Sequence, residues 1–113
     1  MAAESTGVLD RHVQLFNEGV RSGDFGPMLE HFAEDAELVF VGVSVGPFEG
    51  KDAIAAAYVE QPPDDEIDVR AVRTEGSELV CDYGWRRDGG TRAGELRLTV
   101  DGDTIRRLII TFE

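Results

Sequence analysis

Apolar side chains recur at Leu9, Val13, Phe16 and Val20, spaced i, i+4, i+7 and i+11, and lay one stripe along a helix from about Thr6 to Ser22. Arg11, Gln14, Glu18 and Arg21 form its polar face. Ser5 or Thr6 can accept the free amides at its start, and Gly23 suits the left-handed turn that ends it. A second, short helix is predicted over Pro27–Ala33, with proline in its first turn and Met28, Leu29 and Phe32 facing inward. Past Asp35 the period changes: Glu37–Val43 is β-branched and aromatic and reads as a strand with little polar surface on either side. Gly42, Gly46-Pro47 and Gly50 then break the extended run. Lys51–Glu60 is helical again, with Ile54 and Tyr58 four apart on the buried side, and Gln61-Pro62-Pro63-Asp64-Asp65 closes it as a loop.

The second half alternates with a period of two. It predicts strands near 66–75, 78–87, 93–101 and 104–112, separated by Glu75-Gly76-Ser77, Asp88-Gly89-Gly90 and Asp101-Gly102-Asp103, all of which tolerate the positive φ of tight hairpins. In the strand over 79–85, Leu79, Cys81, Tyr83 and Trp85 share one face and Val80, Asp82 and Gly84 the other. Leu96 and Leu98 alternate likewise with Glu95, Arg97 and Thr99. Helices first and a strand meander afterwards predict an α+β fold, a cone of three helices from the N-terminal half packed on one face of a curved antiparallel sheet. Three short helices cannot cover such a sheet completely, so an apolar pocket is expected between the first helix and the sheet.

The chain has 113 residues, 42% of them hydrophobic and 30% charged, which fits one domain over 1–113. Acidic residues outnumber basic ones 23 to 11, giving a net charge of -12 and excluding the basic face that nucleic acid or an anionic membrane surface requires. Solubility is the plainer reason for this charge, and steering of cationic ligands the more specific one. The lone Cys81 excludes an internal disulfide, and without a secretory leader or a long apolar run the expected setting is cytoplasmic. Two distant histidines and scattered acidic turns give no metal-ligand spacing, and the glycines at 42, 46 and 50 make no phosphate loop, so neither metal nor cofactor is expected.

The stretches Phe32-Ala33-Glu34-Asp35-Ala36-Glu37-Leu38 and Gly46-Pro47-Phe48-Glu49-Gly50-Lys51-Asp52-Ala53-Ile54, with the ending Gly102-Asp103-Thr104-Ile105-Arg106, resemble the NTF2-like superfamily and, within it, the SnoaL-like and ketosteroid-isomerase-like branch. The order α-α-β-α-ββββ matches across essentially the whole chain. In ketosteroid isomerases a tyrosine on the first helix and a protonated aspartate stabilise a dienolate while a second aspartate moves the proton. An ungapped comparison puts Phe16 at the tyrosine, Phe40 at the base and Leu96 at the protonated aspartate, so every polar participant is replaced by an apolar one. Tyr58 falls where isomerases keep a tyrosine bonded to the catalytic one; with Phe16 opposite, it needs another acceptor or water. Epoxide-hydrolase-like relatives use an Asp-Arg-Asp arrangement, but Asp82 and Arg97 lie on the outward set of their strands and read better as an exposed cross-strand pair.

The resemblance implies a cone that binds an apolar small molecule, lined by Phe16, Phe40, Tyr58, Tyr83, Trp85 and Leu96. Isomerisation, cyclisation or hydrolysis of a polyketide-like or steroid-like substrate is the chemistry it would bring, with His12, Tyr58 or Asp82 as the candidate polar actors. The alternative is a non-catalytic dimeric scaffold with its pocket packed shut, paired as a homodimer through an outer sheet face carrying Val80, Asp82, Arg97 and Thr99. His12 lies about 60° off the helix stripe on the side of Phe16, where a solvent-wetted flank position is the plainer reading and a general base the sharper one. Cys81 reads as a small buried hydrophobe. Tyr83 and Trp85 serve equally as core filling or pocket wall.

Overall fold

A computed structural model describes the backbone of residues 2–113 and the side chains of residues 7–113. Its elements run α1 (Ala2–Ser22), α2 (Gly26–Leu29), β1 (Phe32–Val41), β2 (Phe48–Glu49), α3 (Lys51–Glu60), β3 (Ile67–Glu75), β4 (Glu78–Trp85), a 3-10 turn at Arg86–Asp88, β5 (Arg92–Asp101) and β6 (Thr104–Phe112). One six-stranded sheet in the order β2-β1-β6-β5-β4-β3 curls around the helices.

Helix α1 starts upstream of the expected Thr6; the Ser5 and Thr6 side chains, the expected caps, lie outside the described residues. Its inward line is rotated from the apolar stripe: Leu9, His12 and Phe16 are buried with Gly19, while Val13 and Val20 are half-buried. Gly19 sets that rotation, because a Cβ there would stand 2.4 Å from Cδ1 of Phe25, whose ring lies against the helix backbone. Asn17, also buried, holds α1 to the sheet edge. Its amide donates to the Ile67 carbonyl at 3.1 Å and its side-chain oxygen accepts the Ile67 N–H at 2.9 Å, completing a backbone pair at the open end of β3.

Three expectations change. Helix α2 ends at Leu29 rather than Ala33, and Phe32 already belongs to β1, because β6 captures the chain there: the Ile105 N–H bonds the His31 carbonyl at 2.8 Å. The sheet is mixed rather than antiparallel. The meander β3–β6 fixes the direction of β6, and β1 enters beside it running parallel, with the intervening chain as the long crossover that a parallel pair needs. The short β2, unforeseen among the punctuating glycines, pairs with β1 through Glu37 opposite Glu49 and Leu38 opposite Phe48.

Strand β3 carries a bulge. Arg70 opposes Asp82 but Arg73 opposes Val80, so Ala71 and Val72 together face Cys81, and Ala71 takes φ 51°. The extra residue returns Arg73 to the outer face, beside Arg70. There Arg73 reaches Glu75, Asp82 and Glu95, Arg97 reaches Glu75, Glu78 and Glu95, and Arg92 reaches Asp82 and Glu113. Val80, expected on this open face, is fully buried beneath that lattice, since Arg73 and Arg97 flank it in register and their stems cover it.

Candidate functional site

Between α1, α3 and the concave side of the sheet lies a cavity of about 380 Å³. Helix α1 contributes His12 and Phe16, β1 contributes Leu38 and Phe40, and the loop beyond β1 contributes Val43 and Val45. From α3 come Ala57, Tyr58 and Glu60, from the following loop Gln61 and Pro63, and from the strands Phe48, Ile67, Tyr83, Trp85, Leu96, Ile110 and Phe112. The structure thus brings Phe16, Phe40, Tyr58, Tyr83, Trp85 and Leu96 together around one space, with His12 beside them.

The sheet wall is a continuous run of rings. Phe48 meets Phe40 edge-on at 6.2 Å, Phe40 stacks on Phe112 at 6.0 Å, Phe112 meets Tyr83 at 6.5 Å and Tyr83 meets Trp85 at 5.7 Å. These separations are those of favourable offset and edge-to-face pairs, so the wall is set by mutual packing before any ligand arrives. Gly94 makes room for it: a Cβ there would lie 1.7 Å from the Thr111 carbonyl oxygen and 3.1 Å from the Tyr83 ring. The Tyr83 hydroxyl donates to that carbonyl at 3.3 Å, and burial pushes its pKa up to about 12. It is a wall residue with its polar end already used.

On the helical side Phe25 lies between Phe16, at 6.1 Å, and Tyr58, at 5.1 Å. The Tyr58 hydroxyl makes no hydrogen bond among the described residues, and burial raises its pKa well above the ordinary value, so it stays a neutral donor. The partner missing from the Phe16 position is not replaced from elsewhere in the described protein.

His12 departs most from expectation. It is 3% exposed rather than wetted by solvent, its ring meets Phe32 edge-on at 5.8 Å, and its Nδ1 is buried without a hydrogen-bond partner among the described residues. Burial first, and then the charge on His31, lower its pKa to about 4, so at neutral pH it is an uncharged imidazole able to accept or donate one hydrogen bond. His31 itself receives the Arg11 Nε–H at 3.2 Å.

Asp82, the third candidate actor, is not at this site. It lies on the outer face, and its partners are Arg92 at 3.2 Å and Arg73 at 3.6 Å rather than the expected Arg97. The correction comes from register: Asp82 stands opposite Glu95, which holds Arg97 at 3.2 Å. Cys81 is fully buried in the core, and burial pushes its thiol up to about 12, which leaves it inert. Among the described residues no group of three His, Cys, Asp or Glu side chains is placed to hold a metal ion.

Sequence reasoning missed Phe112 and Ile110, which alternation along β6 could have found, and Phe48, Glu60 and Gln61, which carry no periodic signal. Glu60 is the one charged residue in the lining, and no lysine or arginine joins it. The chemical character is therefore an apolar, aromatic interior with a few neutral hydrogen-bonding groups, His12, Tyr58, Gln61 and Trp85 among them, and a carboxylate.

No curated protein matches the chain significantly. Solved structures match it closely in shape. An NTF2-like protein from Anabaena variabilis is 20% identical with a TM-score of 0.74, covering 97% of this chain and 90% of its own. An inferred ketosteroid isomerase from Kribbella flavida is 14% identical with a TM-score of 0.73, over 98% of this chain and 78% of its own. An inferred polyketide cyclase from Sinorhizobium meliloti is 17% identical with a TM-score of 0.61, over 91% of this chain and 97% of its own. At these identities the likeness concerns the fold: three helices on a curved sheet that leaves a cone. The SnoaL-like domain family matches residues 13–108, from the middle of α1 to the middle of β6, and with the cone and its shape relatives in place the chain belongs to that family and has the NTF2-like fold.

Proposed function

We propose that the cone binds a small, largely apolar molecule, with Phe16, Phe40, Tyr58, Tyr83, Trp85 and Leu96 as its walls and His12 and Tyr58 as its hydrogen-bonding contacts. The observation that carries this reading is the cavity itself. At about 380 Å³ it falls within the range of about 300–1,000 Å³ usual for small-molecule sites, whereas a packed scaffold would have interdigitated these rings. The inferred isomerase and cyclase among the shape relatives make proton-transfer or ring-closing chemistry the reaction class to test. The chain's own groups divide that work in one way. Tyr58 can donate to a developing oxyanion, and the neutral His12 imidazole can accept a proton, though with a pKa of about 4 it is a weak base at neutral pH. A ketosteroid isomerase mechanism is not supported, because Phe16, Phe40 and Leu96 bring no polar atom to the positions it uses.

A panel of neutral aromatic and alicyclic alcohols and ketones small enough for the cavity tests the reading, followed by emission from Trp85, the single tryptophan. Members should bind one to one, and Ile110→Phe, which narrows the space and leaves Trp85 the single emitter, should weaken them by roughly tenfold or more. A panel in which nothing binds the intact protein contradicts it. Pairing of two copies through the outer sheet face is a separate expectation, read by sedimentation of the purified protein; a monomer at all accessible concentrations removes it.

A further inference from the structure

We infer that the cone selects a ligand with a cationic end: a protonated lipophilic amine whose apolar body fills the cavity and whose ammonium group rests at the mouth beside Glu60. This rests on the reading of the cone as a small-molecule site and adds the charge class of its ligand.

Glu60 is exposed, is the single charged side chain in the lining, and makes no ion pair among the described residues. It also stands at the last position of α3, where the helix dipole is negative and a basic residue would be the stabilising choice, yet the last turn of α3 contains none. Carboxylate and helix end reinforce each other. The arginines that follow Trp85 in the chain do not neutralise them, because Arg86 is held by Glu66 and Asp68, and Arg87 by Asp64 and Asp65. A local arrangement that works against helix stability at the rim of a cavity is where a ligand can supply the missing charge.

The wall points the same way. Tyr83, Trp85 and Phe112 line the cavity, and the face of an aromatic ring attracts cations and repels anions. His12 adds no positive charge, being neutral in its buried setting. A net charge of -12 raises the local concentration of cations around the whole molecule and lowers that of anions. The interior offers an ammonium group no carboxylate, so the charged end belongs at the mouth and the apolar body inside.

Three probes that share one ring system separate the outcomes: 2-naphthylmethylamine, 2-naphthylmethanol and 2-naphthoate, titrated into the intact protein by calorimetry at neutral pH and low salt. The amine should bind roughly fivefold or more tighter than the alcohol, and the carboxylate weakest of the three. Added salt should narrow the gap between amine and alcohol. Glu60→Gln, at an exposed position that folding does not depend on, should bring the amine to within about twofold of the alcohol. The inference is overturned if the alcohol binds as tightly as the amine, if the carboxylate leads, or if the amine keeps its advantage in Glu60→Gln. If none of the three binds, the small-molecule reading of the cone fails and takes this inference with it, an outcome distinct from binding without charge preference.

Discussion

His12 is the residue at which the interior departs most from ordinary packing, because a ring that titrates is held among groups that cannot solvate its charge. Its folded pKa of about 4 lies below the ordinary 6.5, so between those values the unfolded chain binds the proton that the folded chain refuses. Stability therefore rises with pH across that window and is lost as pH falls through it, by about 3 kcal/mol at the acid end, with 1.36 kcal/mol per pKa unit. Urea unfolding at pH 7 and pH 4 should show that loss in the native protein, and His12→Leu should lose less stability over the same interval. Equal pH dependence in the two would show that His12 is not held neutral. The tyrosines provide a second contrast. Tyr83→Phe gives up the bond to the Thr111 carbonyl and should lower stability by about 1 kcal/mol, while Tyr58→Phe, whose hydroxyl has no partner among the described residues, should change it by less than about 0.5 kcal/mol.

Asn17 and Ala71 show how individual residues set whole elements. Asn17→Ala removes both hydrogen bonds to Ile67 and leaves a buried amide and carbonyl unpaired where α1 docks on β3, so a loss of about 2–4 kcal/mol is expected in thermal or urea unfolding. Ala71 occupies the left-handed region that glycine enters freely, so Ala71→Gly should leave stability unchanged or raise it by up to about 1 kcal/mol, while valine there should lower it. Neither feature could be read from the sequence: Asn17 stands off the apolar stripe with nothing to mark its distant partner, and the bulge leaves no mark in Arg70-Ala71-Val72-Arg73. The elements that rest on local signals were legible, including α1, α3 and the four-strand meander with its glycine turns. Those that rest on distant partners were not. Phe32 has an inward-facing position in either helix or strand, and only the pairing with Ile105 on β6 decides for the strand. The same division holds at the site. Alternation puts Tyr83 and Trp85 on one face and the family resemblance points to Phe16, Phe40, Tyr58 and Leu96, whereas Phe48, Glu60 and Gln61 come from ends and loops whose position depends on the finished fold.

For the whole molecule, the opposition between an acidic exterior and an aromatic interior is what gives the cone its character. The outer sheet face is covered by ion pairs among Arg73, Arg92 and Arg97 and their carboxylates, each pair at a surface where it adds little stability by itself. Arg73, Arg92 and Arg97 find their carboxylates within the chain. The concave face carries one carboxylate, and among the described residues the His12 Nδ1 and the Tyr58 hydroxyl have no hydrogen-bond partner, so it is there that a ligand has something to complete. The most direct test is the set of methyl NMR shifts on titration with 2-naphthylmethanol. An open, ligand-binding cone predicts saturable changes at Leu38, Ile67, Leu96 and Ile110, with Val59 and Val72, exposed elsewhere, unmoved; absence of saturable change at the cavity methyls, or changes centred on the outer face, would contradict it.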